Sequence, residues 1–152
     1  LDLGISAVAG AVDAFNPTLD CVPEVAAYSY AQGLDPQLPY LNSGVILVNT
    51  RVWRSLDVSQ RALSIARTST SLMYPDQDCL NLAVGESRRQ VGLEWNFMAS
   101  AELARRYIGP LPKIVHYAGP RKPWRHECRV PLLQAAYTHV LEEVRILLKE
   151  DS

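Results

Sequence analysis

Val115-His116-Tyr117-Ala118-Gly119-Pro120-Arg121-Lys122-Pro123-Trp124 is the stretch around which the rest of the chain can be read. The β-branched pair Ile114-Val115 leads into His116 and the run breaks at Gly119-Pro120, which predicts a buried strand delivering a histidine to a loop. Pro120 and Pro123 bracket Arg121 and Lys122 and fix φ near −65° at two points, so the loop is stiff. An imidazole, a glycine amide and a lysine ammonium held in one arrangement suit a divalent metal bound to phosphates. The residues taken alone favour a half-buried histidine beside solvated loop charges.

Composition sets the class. The chain has 152 residues, 48% of them hydrophobic and 20% charged, with a net charge of −1, which fits one globular domain with a sizeable core. No apolar run approaches the roughly 20 residues of a membrane helix, and no signal-peptide order opens the sequence. A cytoplasmic location is expected, with peripheral contact at the inner membrane as an added option. Cys21, Cys79 and Cys128 form neither an even framework nor a Cys-x-x-Cys pair, so reduced thiols are expected and a structural zinc is not.

Charge is uneven. Residues 1–50 hold no Lys or Arg, whereas Arg105, Arg106, Lys113, Arg121, Lys122, Arg125 and Arg129 crowd the later part against Glu127. That end expects an anion, either a ligand phosphate or an acidic lipid surface; nucleic acid fits least, because basic–aromatic interleaving is sparse.

Upstream, Ile5 to Val12 reads as a buried strand of small residues ending at Asp13, a position where α/β proteins collect ligands but where an Asp also commonly caps a turn. A short helix is expected around Val22–Ala31. Tyr40-Leu41-Asn42-Ser43-Gly44-Val45-Ile46-Leu47-Val48 gives a polar Asn-Ser-Gly lead-in and then a four-residue apolar strand, in which Asn42 offers both a donor and an acceptor. Thr50 is expected to cap a short helix containing Trp53, and a second helix to follow Asp57, with Val58, Leu63, Ile65 and Ala66 inward.

Tyr74-Pro75-Asp76-Gln77-Asp78-Cys79-Leu80-Asn81-Leu82 looks like a helix start, with Pro75 in the first turn and carboxylates where the helix dipole favours them. Asp76 and Asp78 explain themselves as charges at that terminus. Alternatively, Asp76 and Gln77 project into a cleft while Asp78 secures the helix. A metal-binding Asp-x-Asp is disfavoured here, since side chains two apart in a helix point about 200° apart. Gln90–Leu93 reads as a strand running on into the aromatic turn Trp95-Asn96-Phe97, with weak helix over Ala101–Tyr107. In the tail, Leu133, Ala136, Val140, Val144, Leu147 and Leu148 recur at helical spacing, predicting a helix over 131–152 that closes the domain.

The order Asn42-Ser43-Gly44-Val45, Asp76-Gln77-Asp78-Cys79-Leu80-Asn81, Trp95-Asn96-Phe97 and His116-Tyr117-Ala118-Gly119-Pro120-Arg121-Lys122-Pro123-Trp124 strongly resembles family 8 of the glycosyltransferases, which includes glycogenin and bacterial lipopolysaccharide galactosyl- and glucosyltransferases. The resemblance runs from about Leu1 to Cys128. It implies an α/β, Rossmann-like GT-A domain with a mixed sheet, of which residues 1–130 would be the C-terminal portion.

It also implies retaining transfer of a hexose from a UDP-sugar to a carbohydrate or glycolipid acceptor, with Mn²⁺ or Mg²⁺. By similarity, His116 is a metal ligand, Gly119 and Lys122 contact the diphosphate, Asp13 and Asn42 line the donor-sugar pocket, and Asp76 and Gln77 act on the sugar, Gln77 near the reacting carbon. The family's metal-binding Asp-x-Asp and its uridine-binding half belong before Leu1. The chain alone is therefore expected to be inactive. Two competing readings are a non-catalytic carbohydrate-binding or scaffolding remnant of the same fold and a metal-dependent hydrolase using His116 with Asp76 and Asp78.

Overall fold

The structure is a computed structural model that describes residues 2–119, 122–125 and 131–150. Strands β1 (Val8–Val12), β2 (Leu41–Val48) and β3 (Arg88–Val91) form one sheet in the order β2-β1-β3. β1 is antiparallel to β2 and parallel to β3, so the sheet is mixed, as expected. β4 (Phe97–Met98) and β5 (Val115–His116) form a separate parallel pair. The helices are α1 (Pro23–Ala31), α2 (Thr50–Ser55), α3 (Val58–Thr68), α4 (Pro75–Val84), α5 (Ala101–Arg106) and α6 (Pro131–Glu150).

Small residues explain β1. Ala7, Val8, Ala9 and Ala11 are buried, so neighbouring elements approach the strand closely. The main core joins Val8 and Leu41 of the sheet to Leu19, Val22 and Val25 before and in α1, Val58 and Ile65 of α3, and Leu80, Leu82 and Val84 of α4. A satellite core of Phe97, Met98 and Leu103 lies under β4 and α5, with the Phe97 and Tyr107 rings meeting edge to face at 5.0 Å.

One irregularity positions the site. Gly10 pairs with Ile46 but Val12 pairs with Leu41, so between these pairs one residue of β1, Ala11, is spanned by four of β2. The extra chain is the Asn42–Val45 segment, which leaves the ladder as a bulge and re-aims its polar side chains. The Asn-Ser-Gly segment is thus inside the strand and not a lead-in to it: β2 has eight residues, not four.

α4 is clamped to this strand by three buried polar residues. At its N-terminus, the Asp78 carboxylate accepts from Tyr74 N at 2.8 Å and from the Tyr40 hydroxyl. One turn on, Asn81 donates to Leu41 O at 2.7 Å and to Gln77 O at 2.9 Å and accepts from Leu41 N at 2.8 Å. Beyond the C-terminus, Arg88 donates to Pro39 O at 2.6 Å and to Asn81 Oδ1 at 2.9 Å. Burial lowers Arg88 to about 10, which still leaves it a cation at neutral pH, set among the last carbonyls of α4 where the helix dipole favours it. Burial, with the Asp78 carboxylate next, pushes Tyr40 well above its ordinary value, so Tyr40 stays an O–H donor.

Several expectations are corrected. β1 starts at Val8, and Ile5 is almost fully exposed, because Gly4 turns the chain first. Asn49, not Thr50, caps α2, its side chain accepting from Val52 N at 3.3 Å. In α3, Val58 and Ile65 are buried but Leu63 is exposed, because 100° per residue carries it about 140° round from Val58; Ala66 lies outside the core too. Gln90–Leu93 does not run on: β3 ends at Val91, a 3-10 turn over Leu93–Trp95 follows, and β4 belongs to the second sheet. The strand carrying His116 is two half-buried residues long. Pro120, Arg121 and Cys128 lie outside the described residues.

α6 forms over Pro131–Glu150, with Val140, Val144, Leu147 and Leu148 of its apolar stripe exposed. The contacts described for α6 fall near its start. Gln134 donates to Pro123 O at 3.1 Å, and the Tyr137 ring meets those of Tyr117 and Trp124. Trp53 is packing, as expected: it lies against the main core, its indole donating to Ser59 at 2.8 Å.

Candidate functional site

The C-terminal ends of β1, β4 and β5, the β2 bulge and the N-terminus of α4 meet at one open cleft of about 530 Å³. Asp13, Asn42, Asp76, Gln77, His116, Gly119 and Lys122 all line it, together with Phe15, Asn16, Ser43, Gly44, Tyr74, Met98 and Ala118. The structure therefore brings together the seven residues that the family resemblance placed at the donor, diphosphate and metal site. Asp78 is absent from the lining; it is fully buried and supports α4 from behind.

Asp13 is the hub, and it both caps a turn and faces the site. One carboxylate oxygen accepts from Phe15 N at 3.0 Å and Asn16 N at 3.1 Å, forming an Asx turn. The other accepts from Asn42 Nδ2 and from Gln77 Nε2, each at 3.1 Å. Gln77 is gripped at its other end too, because its Oε1 accepts from Ser43 N at 2.9 Å. The amide cannot rotate without breaking both bonds. Asp76 is more exposed, with one oxygen accepting from the Ser43 hydroxyl at 3.0 Å. That leaves Asp76 acceptor capacity for a hydroxylated ligand.

His116 faces the bulge. A Cβ built on Gly44 would lie 2.0 Å from His116 Cε1 and 2.5 Å from Nδ1, so the ring rests where a side chain would otherwise stand. Gly44→Ala should therefore expel the imidazole from its seat while leaving the fold intact. The His116 ring resonances should move in the NMR spectrum by far more than those of Trp53; an unmoved His116 would contradict this contact.

Burial, with the nearby Lys122 ammonium next and Asp13 opposing, holds His116 below its ordinary value, so the ring is neutral at pH 7. His116 Nδ1 lies 3.0 Å from Asn96 Oδ1. Lys122 donates to Tyr117 O at 2.6 Å, which leaves the ammonium two further hydrogens. Gly119 has φ of +72°, a left-handed conformation that a side chain would strain.

A neutral imidazole suits a transition metal, and His116 fits as one ligand of such an ion. Among the described residues no group of three or more His, Cys, Asp or Glu side chains could hold an ion by itself. Further ligands would come from a bound diphosphate, water or other residues.

Sequence reasoning assigned no role to Asn96, Ser43, Asn81 or Arg88. Asn81 had a readable signal, since it stands four residues after Gln77 on the same helix face. Asn96 had a weaker one, a lone amide between Trp95 and Phe97. Nothing in the sequence set Arg88 apart from its neighbour Arg89.

The mixed sheet and the cleft at its strand ends belong to a partial GT-A fold, as the likeness to solved glycosyltransferases given below shows. Residues 1–128 match the sequence model of Glycosyl transferase family 8, and the chain belongs to that family. It is 32% identical over 93 residues to the lipopolysaccharide glucosyltransferase WaaO of Escherichia coli strain K12, covering 56% of this chain and 27% of WaaO. It is 31% identical over 103 residues to the lipopolysaccharide 1,3-galactosyltransferase of Salmonella typhimurium, covering 62% and 31%.

The crystal structure of the galactosyltransferase LgtC with donor and acceptor sugar analogs superposes with a TM-score of 0.62 at 26% identity, covering 84% of this chain and 49% of LgtC. An active-site glutamine-to-glutamate variant of LgtC shares the fold with a TM-score of 0.66 at 23% identity, covering 86% and 50%. The chain thus spans about a third of the length of these two curated relatives and half that of LgtC. No described helix is long and apolar enough to cross a membrane.

Proposed function

We propose that this chain contributes the sugar-handling wall of a retaining hexosyltransferase that uses a UDP-sugar and a divalent metal, Mn²⁺ or Mg²⁺, and delivers the hexose to a glycan or lipopolysaccharide-type acceptor. What supports the reading is the meeting of Asp13, Asn42, Asp76, Gln77, His116, Gly119 and Lys122 in one cleft, in a chain of this family.

His116 would hold the metal through its ring, and Lys122 and the Gly119 amide would take diphosphate oxygens. Bound there, the metal would neutralise charge on the diphosphate. Asp76 accepts from hydroxyls of the donor sugar, and Asn42 lines the same pocket. Gln77, a neutral amide, is a poor nucleophile beside an ionised carboxylate, so transfer on one face of the sugar is favoured over double displacement. The bond from the anomeric carbon to the β-phosphate oxygen breaks as the acceptor oxygen bonds to that carbon. The acceptor's proton passes to a β-phosphate oxygen. Gln77 Oε1, one lone pair already committed to Ser43 N, offers its other to the cation-like carbon.

The test is transfer from several UDP-hexoses, with and without Mn²⁺, by the 152-residue chain and by a form extended to the length of its relatives. Transfer is expected from the extended form, with little from the chain alone. Gln77→Ala should cut kcat by about 10²- to 10³-fold, as loss of an electrostatic stabiliser does. Near-full activity in that variant would remove Gln77 from the chemistry, and sugar binding without transfer would favour the carbohydrate-binding reading.

A further inference from the structure

Asn96 is 1% exposed and stands between the Leu93–Trp95 turn and β4, behind the cleft and not in its lining. Its side chain bridges two residues of the site: Nδ2 reaches Asn42 Oδ1 at 2.9 Å and Oδ1 reaches His116 Nδ1 at 3.0 Å. The direction of each bond is dictated from outside. Gly44 N, which can only donate, lies 3.1 Å from Asn42 Oδ1, so that atom is the oxygen. At the other end, Asn42 Nδ2 meets the Asp13 carboxylate, which accepts. Asn96 must then turn its NH₂ to Asn42 and its oxygen to His116. An oxygen facing Nδ1 requires a proton on Nδ1.

We infer that Asn96 is a positioning residue that sets the tautomer of His116, keeping the proton on Nδ1 and the lone pair on Nε2, the nitrogen that the cleft would offer to a metal. The inference rests on His116 acting toward a ligand in this cleft. Metal-binding histidines are commonly oriented in this way through their second nitrogen. Here the order originates in a backbone amide, Gly44 N, and in the Asp13 carboxylate, and passes through two amide side chains with no solvent exposure beyond a few per cent. The β4–β5 pairing supports it: Met98 pairs with His116, and Ala99 N donates to His116 O at 2.8 Å, so Asn96, just before β4, and the ring, on β5, are held side by side.

The test reads the two ring nitrogens of His116 directly, by ¹⁵N NMR of the 152-residue chain near pH 8. The wild type should show Nδ1 at the shift of a protonated nitrogen and Nε2 at that of an unprotonated one. Asn96→Ala should lose this pattern and give averaged, exchanging shifts. Asn96→Asp is no neutral control, because its second oxygen would face Asn42 Oδ1 without a proton between them. Should Asn96→Ala not fold, the wild-type ring decides the matter. A wild-type ring protonated on Nε2, or an Asn96→Ala ring unchanged from wild type, would overturn the inference. Paramagnetic broadening of the His116 ring by added Mn²⁺ is a separate reading, and its absence would count against the metal role and not against the tautomer.

Discussion

Asn81→Leu is expected to lower the unfolding free energy by about 3 kcal/mol, since each buried polar group left without a partner costs about 1–3 kcal/mol. Asn81 is fully buried, and its loss strands Leu41 N, Leu41 O and one hydrogen of the buried Arg88 guanidinium. Leu shares the branching of Asn, is larger, and satisfies none of them. A domain of this kind is stable by roughly 5–15 kcal/mol, so the variant should melt well below the wild type yet remain folded in the cold. Urea titration gives the measurement: the midpoint should fall with the slope unchanged. A loss under about 1 kcal/mol would mean that these groups find water or other partners, and the clamp on α4 would not be a source of stability.

Asp13→Asn is expected to damage the site more than the fold. The shapes match, but the new NH₂ must face either the donors Asn42 Nδ2 and Gln77 Nε2 or the backbone donors of Phe15 and Asn16. Either way two donors meet a donor. Because the Asx turn uses backbone amides, the amide oxygen should stay with the turn and the mismatch fall on Asn42 and Gln77. Gln77 then keeps only its contacts from Ser43, the amide at 2.9 Å and the hydroxyl at 3.5 Å. In a transfer-competent form of the protein, kcat should drop about 10²-fold or more, the scale seen when a reacting group is misplaced by an ångström. KM should change less, and the melting temperature should fall modestly. Unchanged kcat would show that Gln77 does not need Asp13 to hold it. Loss of fold instead would place Asp13 among the structural residues.

The elements that depend on local pattern were legible. Pro75 with two carboxylates marks the start of α4, and the observed helix begins there. The Val22–Ala31 and Ala101–Tyr107 helices appear within a residue of their expected bounds. What failed was non-local. The β2 bulge cannot be read from Asn42-Ser43-Gly44, because it exists only relative to the register of β1. Helical spacing in α6 announced an amphipathic helix but not the partner for its apolar stripe, and in the described structure Val140, Val144 and Leu147 remain exposed. Leu63 is expected inward with the other apolar positions of α3, although its angle of about 140° from Val58 argues against it.

The candidate site divides in the same way. From sequence alone came the chemical inventory: an imidazole, a lysine and a glycine at one loop, an acid at a strand end, and an acid–amide pair at a helix start. The motif order assigned these to glycosyltransferase family 8. Only tertiary structure decided that they share a cleft, that Asp78 stays behind it, and that His116 rests on Gly44. It alone gave Asn81, Arg88 and Asn96 their places. The physical reason is that a side chain's type limits which bonds it can form, whereas which of those bonds forms depends on groups brought beside it from 40 or 50 residues away, as with Asn81 and Leu41 or Asn96 and Asn42.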